Sequence, residues 1–191
     1  MKETGISTLL RSRQTVFTSR EISLLWRETD PVKMARRIHH YVHTHKLIRL
    51  RRGIYAKSED YDPFELAGKL YTPSYIGFET VLLKAGVIFQ LYTTIFAASY
   101  LTREIKVAEQ TIFYRKIKND ILTNSAGVEE KNGYAMASPE RAFLDAVFNY
   151  KDYHFDNLRP LDWDKIHQLA PIYRSKALVK RVREYQELSK I

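Results

Sequence analysis

The alternation of apolar and polar residues is most regular from about 31 to 45, where it predicts a helix with two different sides. At 100° per residue the apolar residues fall together on one side: Met34, Ile38, Tyr41 and Val42. The polar residues fall on the other side: Lys33, Arg36, Arg37, His40 and Thr44. Asp30 can cap this helix, and Pro31 fits its first turn because the missing N–H needs no partner there. The apolar side of the helix can therefore pack against a hydrophobic core, and the basic side can bind a polyanion.

The residues around this helix predict a small domain at the N-terminal end of the chain. Apolar positions indicate helices at 4–12 and 19–26. The second begins with a capping box of Thr18 and Glu21 and turns three residues inward: Ile22, Leu25 and Trp26. After the basic helix, residues 47–50 and 54–56 read as two short strands joined by a basic turn. Helix, helix, turn, helix and two-stranded wing is the order of a winged helix-turn-helix, which we predict for residues 1–58.

Residues 59–191 are predicted to form a mixed α/β domain. The predicted fold class of the whole chain is therefore α+β. Capping and apolar periodicity indicate helices at about 63–71, 78–85, 141–150, 163–170 and 175–189. Runs of β-branched and aromatic residues indicate strands at about 93–101 and 110–117. Asn132-Gly133 predicts a tight type I′ turn between short strands near Val128 and Ala135.

The positive charge is concentrated in the first domain. The net charge of the chain is +9. Residues 1–57 carry 13 Lys and Arg against 4 Asp and Glu, whereas residues 58–191 carry 18 of each. Charge needed only for solubility would be spread along the chain, so this asymmetry favours an anionic partner. Double-stranded DNA fits better than a membrane surface, because the apolar side of the basic helix is narrow.

Composition places further limits on function. The chain has no cysteine, which excludes disulfides and thiolate metal sites and suits a cytoplasmic protein. No apolar run approaches the roughly 20 residues that span a bilayer, so we expect no membrane association. The N-terminal residues lack the apolar core of a signal peptide.

The expected DNA-binding residues follow from their places in the predicted domain. The first two turns of a recognition helix reach base edges, which selects Lys33, Arg36 and Arg37, with His40 and Thr44 on the same side. Arg51 and Arg52 on the wing would contact phosphate or enter a minor groove. Arg49 ranks lower, because we expect it to point to the opposite side of its strand. The alternative for the whole cluster is a solvated basic surface.

Catalytic, cofactor and metal signals are weak, and we predict that the chain is not an enzyme and binds no cofactor or metal. His39 and His43 have a spacing that can hold Zn²⁺, but no carboxylate accompanies them on that side. The pairs Asp60/Asp62 and Asp162/Asp164 have a spacing that can bind Mg²⁺, yet each precedes a helix, where capping is the simpler role. A nucleotide-handling enzyme and a protein-interaction scaffold remain the alternatives.

Four segments in this order resemble the AbiEi-type antitoxins of bacterial toxin–antitoxin and abortive-infection (phage-defence) systems. They are Leu50 to Tyr55, Pro73 to Leu82, the strand pair ending at Phe113-Tyr114, and Ala137 to Asp145. The resemblance implies a winged helix that represses its own operon at inverted repeats, and a C-terminal domain that counteracts a nucleotidyltransferase-type toxin. It also leaves open a stand-alone winged-helix transcriptional regulator without a toxin partner.

Overall fold

The computed structural model describes residues 5–189 and has a mixed α+β fold with two β-sheets. Its helices are α1 (Ile6–Arg11), α2 (Ser19–Trp26), α3 (Pro31–His43), α4 (Pro63–Leu70), α5 (Phe78–Lys84), α6 (Asn119–Leu122), α7 (Pro139–Asn149), α8 (Trp163–Leu169) and α9 (Lys176–Leu188), with a 3-10 helix at Ala170–Tyr173. Its strands are β1 (Val16–Thr18), β2 (Ile48–Arg51), β3 (Ile54–Ala56), β4 (Ser74–Ile76), β5 (Ile95–Ser99), β6 (Arg103–Val107), β7 (Gln110–Lys116), β8 (Val128–Glu130) and β9 (Ala135–Ala137). Within the described residues, none of these helices has both the length and the apolar content needed to cross a bilayer.

The first sheet has three antiparallel strands in the order β1-β3-β2. The predicted hairpin forms its β2 and β3, and β1 is a strand that the sequence pattern did not reveal. With only three residues, β1 is too short to show an alternation. Helix α2 has the predicted bounds, and the capping box of Thr18 and Glu21 is present. Thus helix, strand, helix, helix and hairpin follow one another from Ile6 to Ala56.

The second sheet has six strands in the order β6-β7-β5-β4-β9-β8. The pairs β5–β7 and β4–β9 are parallel, and the other neighbours are antiparallel. The predicted strands correspond to β5, β7, β8 and β9, whereas β4 and β6 were not predicted. Strand β4 is three residues long and β6 carries charged residues at exposed positions, so neither has the apolar signature of a buried strand.

Two predicted local details are wrong. Leu25 of α2 is 39% exposed and does not join the core, although Ile22 and Trp26 are buried. The turn at Asn132-Gly133 is not type I′, because that turn needs positive φ at both residues and only Gly133 has it, at 90°. The connection has four residues between β8 and β9.

The small sheet lies between two hydrophobic cores. Val16 of β1 and Ile54 of β3 face the large core, which also contains the second sheet and α7. Phe17 faces the small core under α1, α2 and α3. This separation follows from strand geometry, since successive side chains point to opposite faces.

Helix α4 joins the small sheet to the rest of the molecule through a buried carboxylate. Glu65 is 2% exposed and accepts hydrogen bonds from the backbone N–H of Thr15 at 2.7 Å and of Val16 at 2.8 Å. It also accepts from the Thr15 hydroxyl at 3.1 Å. One turn later, Lys69 forms an ion pair with Glu21 of α2. These contacts hold the N-terminal helices and the large core in one arrangement.

Candidate nucleic-acid interface

Helix α3 is fixed at its N-terminus by the predicted cap. The Asp30 carboxylate accepts hydrogen bonds from the N–H of Val32 at 2.8 Å and of Lys33 at 3.2 Å. Met34 and Ile38 are buried on one side, as the apolar periodicity predicts, whereas Tyr41 and Val42 are half-buried. The packing of this side determines which residues α3 presents to solvent.

Five residues of α3 and its C-cap were selected from the sequence, and the structure places four of them at exposed positions: Lys33, Arg36, His40 and Thr44. Lys33 lies 3.9 Å from the Asp30 carboxylate in a pair open to solvent. The Thr44 hydroxyl donates to the His40 carbonyl at 2.9 Å and so helps to end the helix. Arg36 makes no ion pair with any described residue and remains available to an external anion.

Arg37 occupies a different position from the other basic residues of α3. Its guanidinium carbon lies 4.4 Å from the centre of the Trp26 ring, and it approaches Glu28 at 3.9 Å. Its side chain is 32% exposed, against 68% for Lys33. Stacked on the indole and balanced by a carboxylate, Arg37 secures α3 to α2 and is less free than Arg36 to contact DNA.

The β2–β3 hairpin is held against the start of α2. The Ser19 N–H donates to the Gly53 carbonyl at 2.9 Å. Gly53 has a φ of 79°, a left-handed conformation that a residue with a Cβ adopts only with strain. The turn that carries Arg52 is therefore fixed relative to α2 and α3.

Strand β2 turns its arginines to two different sides. The register between β2 and β3 shifts between Arg49 and Arg51. Arg49 lies opposite Tyr55 and faces α3, together with Arg52. Arg51 faces the edge of the second sheet. The sequence predicts DNA contact for Arg51 before Arg49, and it carries no signal for the irregularity that turns these two residues to different sides.

A groove of about 620 Å³ separates α3 from the β2–β3 hairpin. Its floor is mainly apolar, and its rim carries Arg20 from α2 and Arg49 and Arg52 from the hairpin. None of these three arginines forms an ion pair with a described residue. Sequence reasoning missed Arg20 and gave Arg49 a low rank, since their convergence depends on the tertiary packing of α2 against the hairpin. The arrangement offers three exposed cations around a concave surface, a geometry that can hold a phosphodiester backbone.

The residues considered for metal or nucleotide binding have other contacts. The rings of His39 and His43 stack at 6.4 Å between centres, and within residues 5–189 no group of three potential ligands comes together around a metal position. The carboxylate of Asp62 caps α4, and that of Asp162 caps α8. Helix capping therefore accounts for Asp62 of the first pair and for Asp162 of the second pair.

The larger region contains a pair of opposite charges that is buried inside the fold. Arg141 and Asp145 on α7 are fully buried, 3.5 Å apart. The Asp145 carboxylate accepts hydrogen bonds from the hydroxyls of Tyr75 at 2.7 Å and Tyr173 at 2.6 Å. Burial raises the pKa of Asp145 to about 6, although the guanidinium and both hydroxyls act to lower it. Arg141 also donates to two backbone carbonyls, whereas its Nε–H has no hydrogen-bond partner among the described residues.

No family model matches this chain, and a search of curated proteins finds no match.

Proposed function

We propose that the N-terminal region is a winged helix-turn-helix that binds double-stranded DNA, with α3 as the recognition helix and the β2–β3 turn as the wing. The order of elements from α1 to β3 and the strand order β1-β3-β2 support this assignment. In such a domain α3 enters the major groove and the hairpin contacts the neighbouring backbone or minor groove.

The single observation that carries the proposal is the set of exposed arginines that have no acidic partner among the described residues. Three of them, from α2 and the hairpin, line the groove: Arg20, Arg49 and Arg52. Arg36 lies on α3, outside the lining of that groove. An arginine in the first turns of a recognition helix can bond both O6 and N7 of guanine, while the other three suit phosphates. Counterions released from the DNA would provide the driving force.

In the cell, we propose, the protein acts as a transcriptional autorepressor and antitoxin. The resemblance to AbiEi-type antitoxins supports this role, with inverted repeats in the operator and a nucleotidyltransferase-type toxin as partner. Two copies would then occupy one operator, each placing its own α3 in the major groove. The larger region would counteract the toxin and have no catalytic role of its own.

DNA binding is tested by titrating the chain against a duplex that covers the region upstream of its own coding sequence, at several salt concentrations. We expect the affinity to fall steeply as salt rises, because log K depends on log salt with a slope of about −0.9 per phosphate contacted. A duplex of scrambled sequence is the control for specificity. Absence of binding at low salt, or affinity that does not change with salt, would contradict the proposal.

The antitoxin role needs a separate test, since a regulator without a toxin partner would bind DNA equally well. Expressing the reading frame adjacent to the gene, with and without this chain, measures protection from growth arrest. We expect growth to be restored by the chain. If a neighbouring nucleotidyltransferase arrests growth equally in both cases, the regulator role remains and the antitoxin role fails.

A further inference from the structure

Strand β6 forms one edge of the large sheet. It is the first strand in the order β6-β7-β5-β4-β9-β8, so that β7 is its neighbour on one side and no strand lies on the other. A groove of about 370 Å³ runs along its open side, lined by residues 103–108 and by Leu50 and Arg51 of β2. The backbone N–H and C=O groups on this side of β6 are therefore accessible to another strand.

The turn that ends β6 determines which of its residues direct their backbone groups outward. Residues 108–109 form a two-residue turn, and Val107 lies opposite Gln110 in the β6–β7 ladder. In a hairpin with such a turn the residues next to the turn exchange both backbone hydrogen bonds, and hydrogen-bonded pairs then alternate with non-hydrogen-bonded pairs. Glu104 and Lys106 belong to the non-hydrogen-bonded pairs, so their N–H and C=O groups point away from β7.

The sequence of β6 is complementary to itself in antiparallel pairing. If two copies of this strand pair about Ile105, Glu104 of each copy lies opposite Lys106 of the other copy. These are the residues whose backbone groups point outward, so each Glu104–Lys106 position would exchange both backbone hydrogen bonds. Both side chains are exposed and form no ion pair with another described residue. Opposite charges that face one another on neighbouring strands would stabilise the pairing further.

The other sheet edges in the described part of the chain lack this complementarity. Strand β8 has Glu129 at its centre, and antiparallel pairing with a copy would place that carboxylate opposite itself. Strand β2 carries two arginines and no acid. The edge of β1 is covered, because the backbone N–H of Val16 donates to Glu65 of α4. Covered edges and like charges prevent unwanted association of sheets, and neither device protects β6 from a second copy of itself.

We propose that two copies of this chain associate through β6, by antiparallel pairing about Ile105 that joins their large sheets edge to edge. The charges on β6 discourage pairing with an arbitrary strand, whereas a second copy supplies the matching charges in reverse order. Pairing over the five residues of β6 buries a small area, so we expect monomer and dimer to be in equilibrium at about micromolar concentrations. This association does not depend on the proposed DNA binding and is measured without nucleic acid.

Cysteine cross-linking tests the register of the pairing. Because the chain has no cysteine, a single introduced cysteine can form only an intermolecular disulfide. Ile105→Cys places the two cysteines at a directly opposite, non-hydrogen-bonded position, where the Cα atoms are about 4.5 Å apart and a disulfide can close. We expect this variant to become a covalent dimer under mild oxidation. Glu104→Cys is the matched control, since its two copies would lie diagonally, at or beyond the roughly 7 Å that a disulfide spans, and we expect it to cross-link far more slowly.

Charge reversal tests the complementarity, with the dimer dissociation constant measured by analytical ultracentrifugation. Glu104→Lys places lysine opposite lysine at both charged positions, and we expect the dimer to weaken about 10-fold. The double variant Glu104→Lys/Lys106→Glu restores opposite charges and is expected to recover the affinity of the unmodified chain. Glu129→Lys makes the same change on β8, at the other edge of the sheet, and is expected to leave association unaltered.

The pairing is refuted if the unmodified chain remains a monomer at about 1 mM, or if Ile105→Cys and Glu104→Cys cross-link at the same rate. It is also refuted if the unmodified chain dimerises and Glu104→Lys has no effect, or if Glu104→Lys/Lys106→Glu associates as weakly as Glu104→Lys alone. Each of these results would leave the proposed DNA binding of α3 and the wing untouched.

Discussion

Arginine has opposite roles in the two regions of this molecule. Around α3 and the wing, Arg36 and Arg52 are exposed and have no acidic partner among the described residues. In the larger region, Arg141 is fully buried beside Asp145, and Arg115 is paired with Glu79 at 3.0 Å. Arg36 and Arg52 can therefore contact an external anion. The charges of Arg141 and Arg115 are already neutralised inside the fold.

This difference shows that the surroundings of a charge carry more functional information than its presence. Arg115 lies within about 5 Å of three aromatic ring centres: those of Phe96, Phe113 and Tyr150. Its guanidinium is enclosed by cation–π contacts and by Glu79, so it stabilises packing. The arginines of the groove have no such enclosure. Three experiments test this contrast.

Removal of the buried guanidinium is expected to have the largest effect. Arg141→Ala leaves Asp145 without its cation and leaves two backbone carbonyls without a donor. Breaking a buried pair in this way costs about 3–5 kcal/mol. We expect urea denaturation to show a loss of this size. The matched surface change, Arg52→Ala, is expected to alter the free energy of unfolding by less than about 0.5 kcal/mol. Equal stability of the two variants would contradict the contrast between the regions.

The second experiment uses pH. Because the pKa of Asp145 is raised to about 6 in the folded state, the folded protein holds a proton between about pH 4 and pH 6 that the unfolded chain has lost. This group therefore stabilises the fold at low pH, and its contribution falls as pH rises through that window, by about 2–3 kcal/mol.

Asp145→Asn isolates this contribution, since the amide does not titrate. We expect the stability difference between the unmodified chain and Asp145→Asn to change with pH between 4 and 6.5, as measured by urea denaturation at fixed ionic strength. If the two curves stay parallel through this range, the raised pKa is wrong.

The third and smallest effect separates two neighbouring arginines of α3. Arg37→Ala removes the stacking on Trp26, and we expect it to lower the free energy of unfolding by about 0.5–1 kcal/mol. Arg36→Ala is expected to leave stability within about 0.5 kcal/mol and to weaken binding to the upstream duplex about 10- to 100-fold, the range for a base contact. The reverse pattern, with Arg37→Ala weaker in binding than Arg36→Ala, would overturn the placement of the recognition face.

Much of the fold could be predicted from local sequence. Capping residues and apolar periodicity located α2, α4, α8 and α9 to within a residue or two, because these signals depend on neighbours along the chain. Strands β1, β4 and β6 escaped detection. The first two are three residues long, and β6 is an edge strand with exposed charged residues, so each is defined by its pairing partner and not by its own composition.

The candidate site was only partly accessible from the sequence. Helical periodicity grouped Lys33, Arg36 and Arg37, but it could not reveal that Trp26 of another helix covers part of Arg37. The bulge in β2, which separates Arg49 from Arg51, has no sequence signature here. Side-chain direction after such an irregularity depends on tertiary contacts, and these appear only once the chain is folded.

The small sheet shared by two cores has a consequence for the proposed binding of two copies to DNA. Val16 and Phe17 are anchored on opposite faces of the small sheet, and Glu65 binds the β1 backbone, so the N-terminal helices are not attached to the large core by a flexible linker. If two such rigid copies bind one operator, the distance between the two half-sites is set by the dimensions of the protein. Inserting five base pairs between the repeats would turn one copy by about half a revolution around the duplex. No flexible hinge within the chain would compensate for this rotation.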